Sequence, residues 1–244
     1  MQIAIINQST KVSDADIATM TEACSFQLTN HVAPPWGMTP VPVVFYQKGA
    51  ILPGDARPIA IIDQPDTDGA LGYHTEDGGK IWGRVFVNPV LTASGVVLCD
   101  PANIQNTSVA SVLSHEVIEM FIDPFINSWC DGPQLPQGQC YALEACDPVE
   151  ADSYVVQVQT KAGPVNVAVS NFILPAWFDV QSQQKNGYDY LNKLMAPFTM
   201  TQGGYLELRS APGAEQQIFG EKYPDWRKDT KAHSLSRTSQ RSTR

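Results

Sequence analysis

The sequence predicts an α+β fold in which a small, twisted, mostly antiparallel sheet carries an N-terminal helix and a second helix in mid-chain. Three observations lead there. Apolar residues recur at helical spacing early in the chain (Ile17, Met20, Cys24, Leu28). Several short segments rich in β-branched and aromatic residues are separated by Gly, Pro and Asp. A mid-chain stretch of helical period gathers its few polar residues on one side.

In chain order, Met1–Asn7 reads as a short apolar strand, and Asp14 or Asp16 caps a helix that runs to about His31 and stops at Ala33-Pro34-Pro35-Trp36-Gly37. Val41–Gln47 and Ile59–Asp63 read as strands. A turn-rich stretch over 65–69 leads to two more, Ala70–His74 and Gly83–Val90, separated by the Asp77-Gly78-Gly79 turn. Asn106, Thr107 or Ser108 caps the second helix. That helix runs through Ile122 and ends by Asp123, because Pro124 disfavours helical geometry in the residue before it. A loop containing Trp129, Gly132 and Gly138 follows, then the acids Glu144, Asp147, Glu150 and Asp152, then strands over Tyr154–Thr160 and Val165–Ser170. The organisation reads as one domain over 1–198, an extension over 199–229 packing on the body, and a basic Ser/Thr/Arg tail over 230–244.

The formal net charge is −9, and the balance is uneven along the chain. With the tail cations Lys231, Arg237, Arg241 and Arg244 set aside, the remaining 12 of 16 basic residues face 25 acids. So acidic a body argues against duplex DNA as partner, since that binding rests largely on phosphate neutralisation. No apolar run approaches the length of a membrane span, and the first residues lack a basic, signal-like start, which suggests synthesis in a cytoplasm. The five cysteines form no CxxC pair. Cys130 and Cys140 flank one loop and invite a bridge, although reduced thiols are the expected state in a cytoplasmic product.

Chemistry concentrates in Ser114-His115-Glu116-Val117-Ile118-Glu119. On a helix, residues four apart differ by roughly 40° and share a face, so His115 and Glu119 can offer ligands to one divalent metal ion. Glu116 points about 100° around the helix, where it can serve as a general base beside the metal without being a ligand. Catalytic zinc sites keep three protein ligands and one open position. Asp147 and Glu150 are the leading candidates for the third ligand, followed by Glu144 and Asp123. The competing reading of these acids is a solvated helix face. Of the other histidines, His74 is the better candidate for a functional role, while His31 reads as an ordinary surface or core residue. The five tryptophans read as core packing, with Trp177-Phe178 a hydrophobic plug.

The order of parts, with a Leu71-Gly72-Tyr73-His74 strand ahead of the His-Glu helix, resembles that of zincin metallopeptidases over about residues 10–175. More closely, Ser114–Met120 with Asp123-Pro124, Glu144-Ala145-Cys146-Asp147-Pro148-Val149-Glu150, Val169-Ser170-Asn171-Phe172 and Leu174-Pro175-Ala176-Trp177-Phe178 resemble a family of uncharacterised bacterial and phage proteins. The zincin likeness implies metal binding by His115 and Glu119 and general-base duty for Glu116. Glu119 stands where zincins carry His, which makes the site harder and opens it to calcium or manganese as well as to zinc. Two functions follow as expectations. One is a metal-dependent hydrolase acting on a peptide or protein laid by strand addition along Gly83–Val90, read as an edge strand. The other is a structural component of a phage particle that retains a zincin-like body and meets neighbouring subunits through the C-terminal tail. A sugar- or surface-binding module is a third.

Overall fold

In this computed structural model, residues 1–132, 139–210, 214–225 and 227–228 are described. The basic tail at 230–244 lies outside them, as does most of the loop between Cys130 and Cys140.

The first strand, β1 (Gln2–Asn7), leads to α1 (Asp14–Gln27). Ser13, not an aspartate, caps α1: its side chain accepts from the Asp16 amide. A π-helical turn (Leu28–Val32) and the short α2 (Ala33–Trp36) prolong the helix. The helical run therefore ends within the Ala33–Gly37 segment, as the sequence suggested, but at Trp36 and not near His31. The tandem prolines occupy the first turn of α2, where their missing N–H groups are not needed, and Gly37 closes it in the left-handed conformation at φ 62°. Then come β2 (Val43–Tyr46), β3 (Ala56–Ile62), β4 (Gly72–Asp77), β5 (Lys80–Phe86) and a short α3 (Val87–Thr92).

These five strands form one sheet in the order β2-β1-β3-β5-β4. The pairs β1–β2, β1–β3 and β3–β5 are parallel, and only β4–β5 is antiparallel. The expectation of a mostly antiparallel main sheet is thus overturned. Its strands are short apolar runs such as Ile3-Ala4-Ile5 and Ile59-Ala60-Ile61, joined by crossovers, the pattern that parallel pairing favours. A second correction follows for substrate placement. The strand that begins the Gly83 segment is interior, between β3 and β4, and the sheet edge belongs to β4. Residues 87–90, expected to be strand, turn helical as α3.

The helix α4 (Val109–Ile122) matches its predicted span, with Ser108 as cap. Ser108 and Ser111 satisfy each other's backbone amides in a capping box. The rest of the chain contributes β6 (Trp129–Asp131), β7 (Cys140–Ala142), a 3-10 turn (Asp147–Val149), β8 (Ser153–Thr160), β9 (Gly163–Ser170), a second 3-10 turn (Pro175–Phe178), β10 (Tyr205–Ser210) and β11 (Ala214–Phe219). β8 and β9 form a hairpin, and a further sheet runs β11-β10-β7-β6, antiparallel throughout. Both α1 and α4 pack on the main sheet on one side and on the β8–β9 hairpin on the other, so α4 is central to the fold. That position explains why eleven of its fourteen residues are buried, Glu116 and Glu119 among them.

The extension after residue 198 joins the antiparallel sheet through β10–β7 pairing. Trp177 is 1% exposed, packs against Tyr141, Phe178 and Phe198, and donates its indole N–H to the Thr199 carbonyl at 2.8 Å, in keeping with a plug. Cys130 faces Tyr141 and Cys140 faces Asp131 across the β6–β7 ladder. One step out of register, the two thiols point to opposite faces, and all five cysteines are free.

Candidate metal centre

The polar stripe of α4 opens into a cavity of about 400 Å³. Its walls are β4 and the loop before it on one side, and the Asp147–Ala151 turn with the C-terminal strands on the other. The α4 helix brings His115 Nε2 to 3.0 Å from Glu119 Oε2, as the four-residue spacing requires. The 3-10 turn, which begins at Asp147 with Pro148 next in it, brings Asp147 Oδ1 to 3.2 Å from the same nitrogen. A tetrahedral ion with bonds of roughly 2.0–2.1 Å sets its ligand atoms about 3.3 Å apart, so both separations suit a pair of donors sharing one ion.

Around these donors the chain is braced. The Cys146 amide donates to Glu119 Oε1 at 3.0 Å, leaving Oε2 toward His115. Ser114, fully buried, accepts from the Ser170 amide at 2.6 Å and donates to the Ser111 carbonyl, which locks α4 to β9 beside His115.

The buried groups also shift one another's protonation. Burial works to lower the pKa of His115, but the charge of Glu119 foremost, with hydrogen bonds to the Asp147 and Glu119 carboxylates, outweighs it and holds the imidazole well above its ordinary value. Glu119 is itself pushed up, chiefly by burial and further by Asp147, against the pull of His115. Both shifts favour protonation, so the imidazole and its acid partners share protons in a largely buried space.

Glu116 stands apart from this trio. Its Oε2 lies 3.6 Å from His74 Nδ1, and His74 Nε2 is 3.1 Å from the Asp123 carbonyl, so that nitrogen carries the proton. Burial opposes charging of His74, yet Glu116, and after it Glu119, raise its pKa above the usual value. His74, Glu116 and Glu119 also present donor atoms within 4.8 Å of one another, as do His115, Glu119 and Cys146. Glu119 is common to both groups.

Of the predicted third ligands, only Asp147 reaches His115. Glu150 is instead paired with Arg227, its Oε1 2.7 Å from Nη1. That pairing removes it from the centre: an acid three residues beyond Asp147 faces the C-terminal segment, not the helix. Asp123 is turned away as well, its carboxylate accepting from the Ser128 amide and hydroxyl. Glu144 lines the cavity, and neither it nor Asp147 belongs to either donor group whose atoms lie within 4.8 Å of one another.

Sequence reasoning missed Cys146, Ser114, Arg227 and the coupling of Gly72 to Glu116. The last had a signal, because Gly72 and His74 are two apart on one strand and share a face. A Cβ on Gly72 would stand 2.8 Å from Glu116 Oε1 and 3.0 Å from both the Arg84 carbonyl and Val112 Cγ1. Gly72→Ala is therefore expected to destabilise the fold by about 1–3 kcal/mol through overpacking. Urea unfolding measures it, and an unshifted midpoint would show that the Glu116 carboxylate moves aside freely.

No family model matches the chain, and neither a curated protein nor a solved structure matches it. Among the described residues no helix is long and apolar enough to cross a membrane.

Proposed function

We propose that this chain is a zincin-like divalent-metal protein that hydrolyses peptide bonds, with His115, Glu119 and Asp147 as ligands and Glu116 as general base. The observation that carries the reading is the convergence of Glu119 Oε2 and Asp147 Oδ1 on His115 Nε2, at 3.0 and 3.2 Å, from two separate elements. A divalent ion, when bound, lowers the pKa of water and polarises a carbonyl.

The protein's own groups supply the remaining work. Glu116, 4% exposed and beside the donors, takes a proton from water at its carboxylate. His74 fixes that carboxylate from the β4 side and anchors itself on the Asp123 carbonyl. Because β4 is an edge strand among the described residues and residues 70–75 line the cavity, an extended peptide can add to its outer backbone edge, which brings a peptide carbonyl over α4. Zinc is the first choice of ion. The two carboxylates in the donor set keep calcium and manganese open.

Elemental analysis of protein purified without chelators, beside His115→Ala, tests the centre. The expected result is about one zinc per chain, lost in the variant. Absence of bound metal from both proteins would overturn the proposal and leave the reading of a structural phage component that keeps the fold. Asp147→Ala and Cys146→Ser, measured together, decide the third ligand: loss of metal in the first with retention in the second is the outcome this geometry supports.

A further inference from the structure

We infer that Arg227 is a latch by which the C-terminal arm closes the rim of the cleft over β4, so that an extended substrate must displace it. The inference rests on the proposed peptide-binding role of β4, and it arises from contacts that role does not use. Arg227 is 6% exposed and touches both walls. Its Nη1 pairs with Glu150 on the metal-side turn, and its Nε donates to the Gly69 carbonyl, in the loop that leads into β4, at 3.3 Å. Its guanidinium also lies 5.2 Å from the Tyr223 ring centroid, and Tyr223 is 2% exposed, so the arm's own packing aims the side chain.

Among the described residues, the attachments on the two walls differ in kind. On the metal side the arm is interlocked with the wall. The Gly220 amide donates to Gly204 at 2.8 Å, Lys222 to Gln202 at 2.7 Å, and Thr201 to Pro148 at 2.9 Å. Gly204 approaches so closely that a Cβ there would fall 2.2 Å from the Pro148 carbonyl oxygen. The bond to Gly69 is longer than any of these, and it lands on a loop. When the cleft opens, the break therefore comes at Gly69, and the arm moves with the Asp147–Ala151 turn. Gly69 is three residues ahead of β4, so releasing it frees the end of the strand edge on which a peptide would start to pair. The planar guanidinium suits this work because it can donate to two walls at once.

Hydrogen–deuterium exchange on Arg227→Ala, with wild type as reference, tests the latch without needing metal or substrate. Amides of residues 69–75 are expected to exchange at least roughly tenfold faster, with α1 and β1 unchanged. Unchanged exchange at 69–75 overturns the inference, and so does an acceleration spread evenly into α1 and β1, which would make Arg227 a general stabilising contact. Should Arg227→Ala fail to fold, Arg227→Lys keeps the charge facing Glu150 without the two-walled fork, and the same rim-confined acceleration is expected. Fast rim exchange in a protein that binds no metal would support the latch while the metal reading fails on its own.

Discussion

Glu116→Gln is expected to lower peptide hydrolysis by roughly 10²–10⁴-fold, the usual contribution of a general base, while leaving bound metal at the wild-type level. The amide has nearly the same shape as the carboxylate, so the close approach to Gly72 is preserved. It also keeps a polar group facing the His74 ring, 3.6 Å away in the wild type. What it cannot do is take a proton from water. Glu119→Gln separates the roles, because Glu119 faces His115 and is braced by the Cys146 amide. That change is expected to reduce metal content as well as rate. The decisive measurement is turnover of an extended peptide library at matched metal occupancy. Hydrolysis undiminished in Glu116→Gln at full occupancy would remove Glu116 from the mechanism and direct attention to His74.

How much of this was legible beforehand depends on the range of the interactions. The span of α4 and its cap could be read because they are set locally, by apolar period, a serine and the Asp123-Pro124 stop. The same locality brings His115 and Glu119 together, since four residues of helix fix their relation whatever else the fold does. Strand existence was largely visible too, yet pairing was not. Whether β3 takes β1 and β5 as parallel neighbours depends on crossovers that no local window contains, so the Gly83 strand was placed at an edge that belongs to β4. The acids after Cys140 were ambiguous for a related reason. Asp147, Glu150 and Glu144 are alike in chemistry and spacing, and only the 3-10 turn and the arrival of Arg227 from far along the chain sort a ligand candidate from an ion-pair partner.

The same long-range logic gives the Val169–Phe172 segment its role, and it yields the largest expected loss of stability. Asn171 and Asp189 are each fully buried, 18 residues apart, and joined by a 2.6 Å bond from the Asn171 amide to Asp189 Oδ2. Asp189 also accepts from the Leu194 amide at 2.7 Å and the Leu191 amide at 3.2 Å, while Asn171 Oδ1 accepts from Leu191 as well. One carboxylate thus organises the loop that follows the Trp177 plug. In Asp189→Ala the Asn171 side-chain amide and the Leu194 N–H lose their acceptor in a space closed to water. Each unmet donor costs about 1–3 kcal/mol, so a total of roughly 3–5 kcal/mol is expected from urea unfolding. Asp189→Asn keeps an oxygen for one backbone amide but turns an NH2 toward donors, so it is expected to recover less than half of the loss. A variant whose unfolding midpoint moves by less than the error of the fit would mean that water reaches these donors when the carboxylate is gone. The effect on metal content offers a second reading: the network lies across β9 from α4, tied to it through Ser170 and Ser114, so bound metal is expected to persist until the protein unfolds.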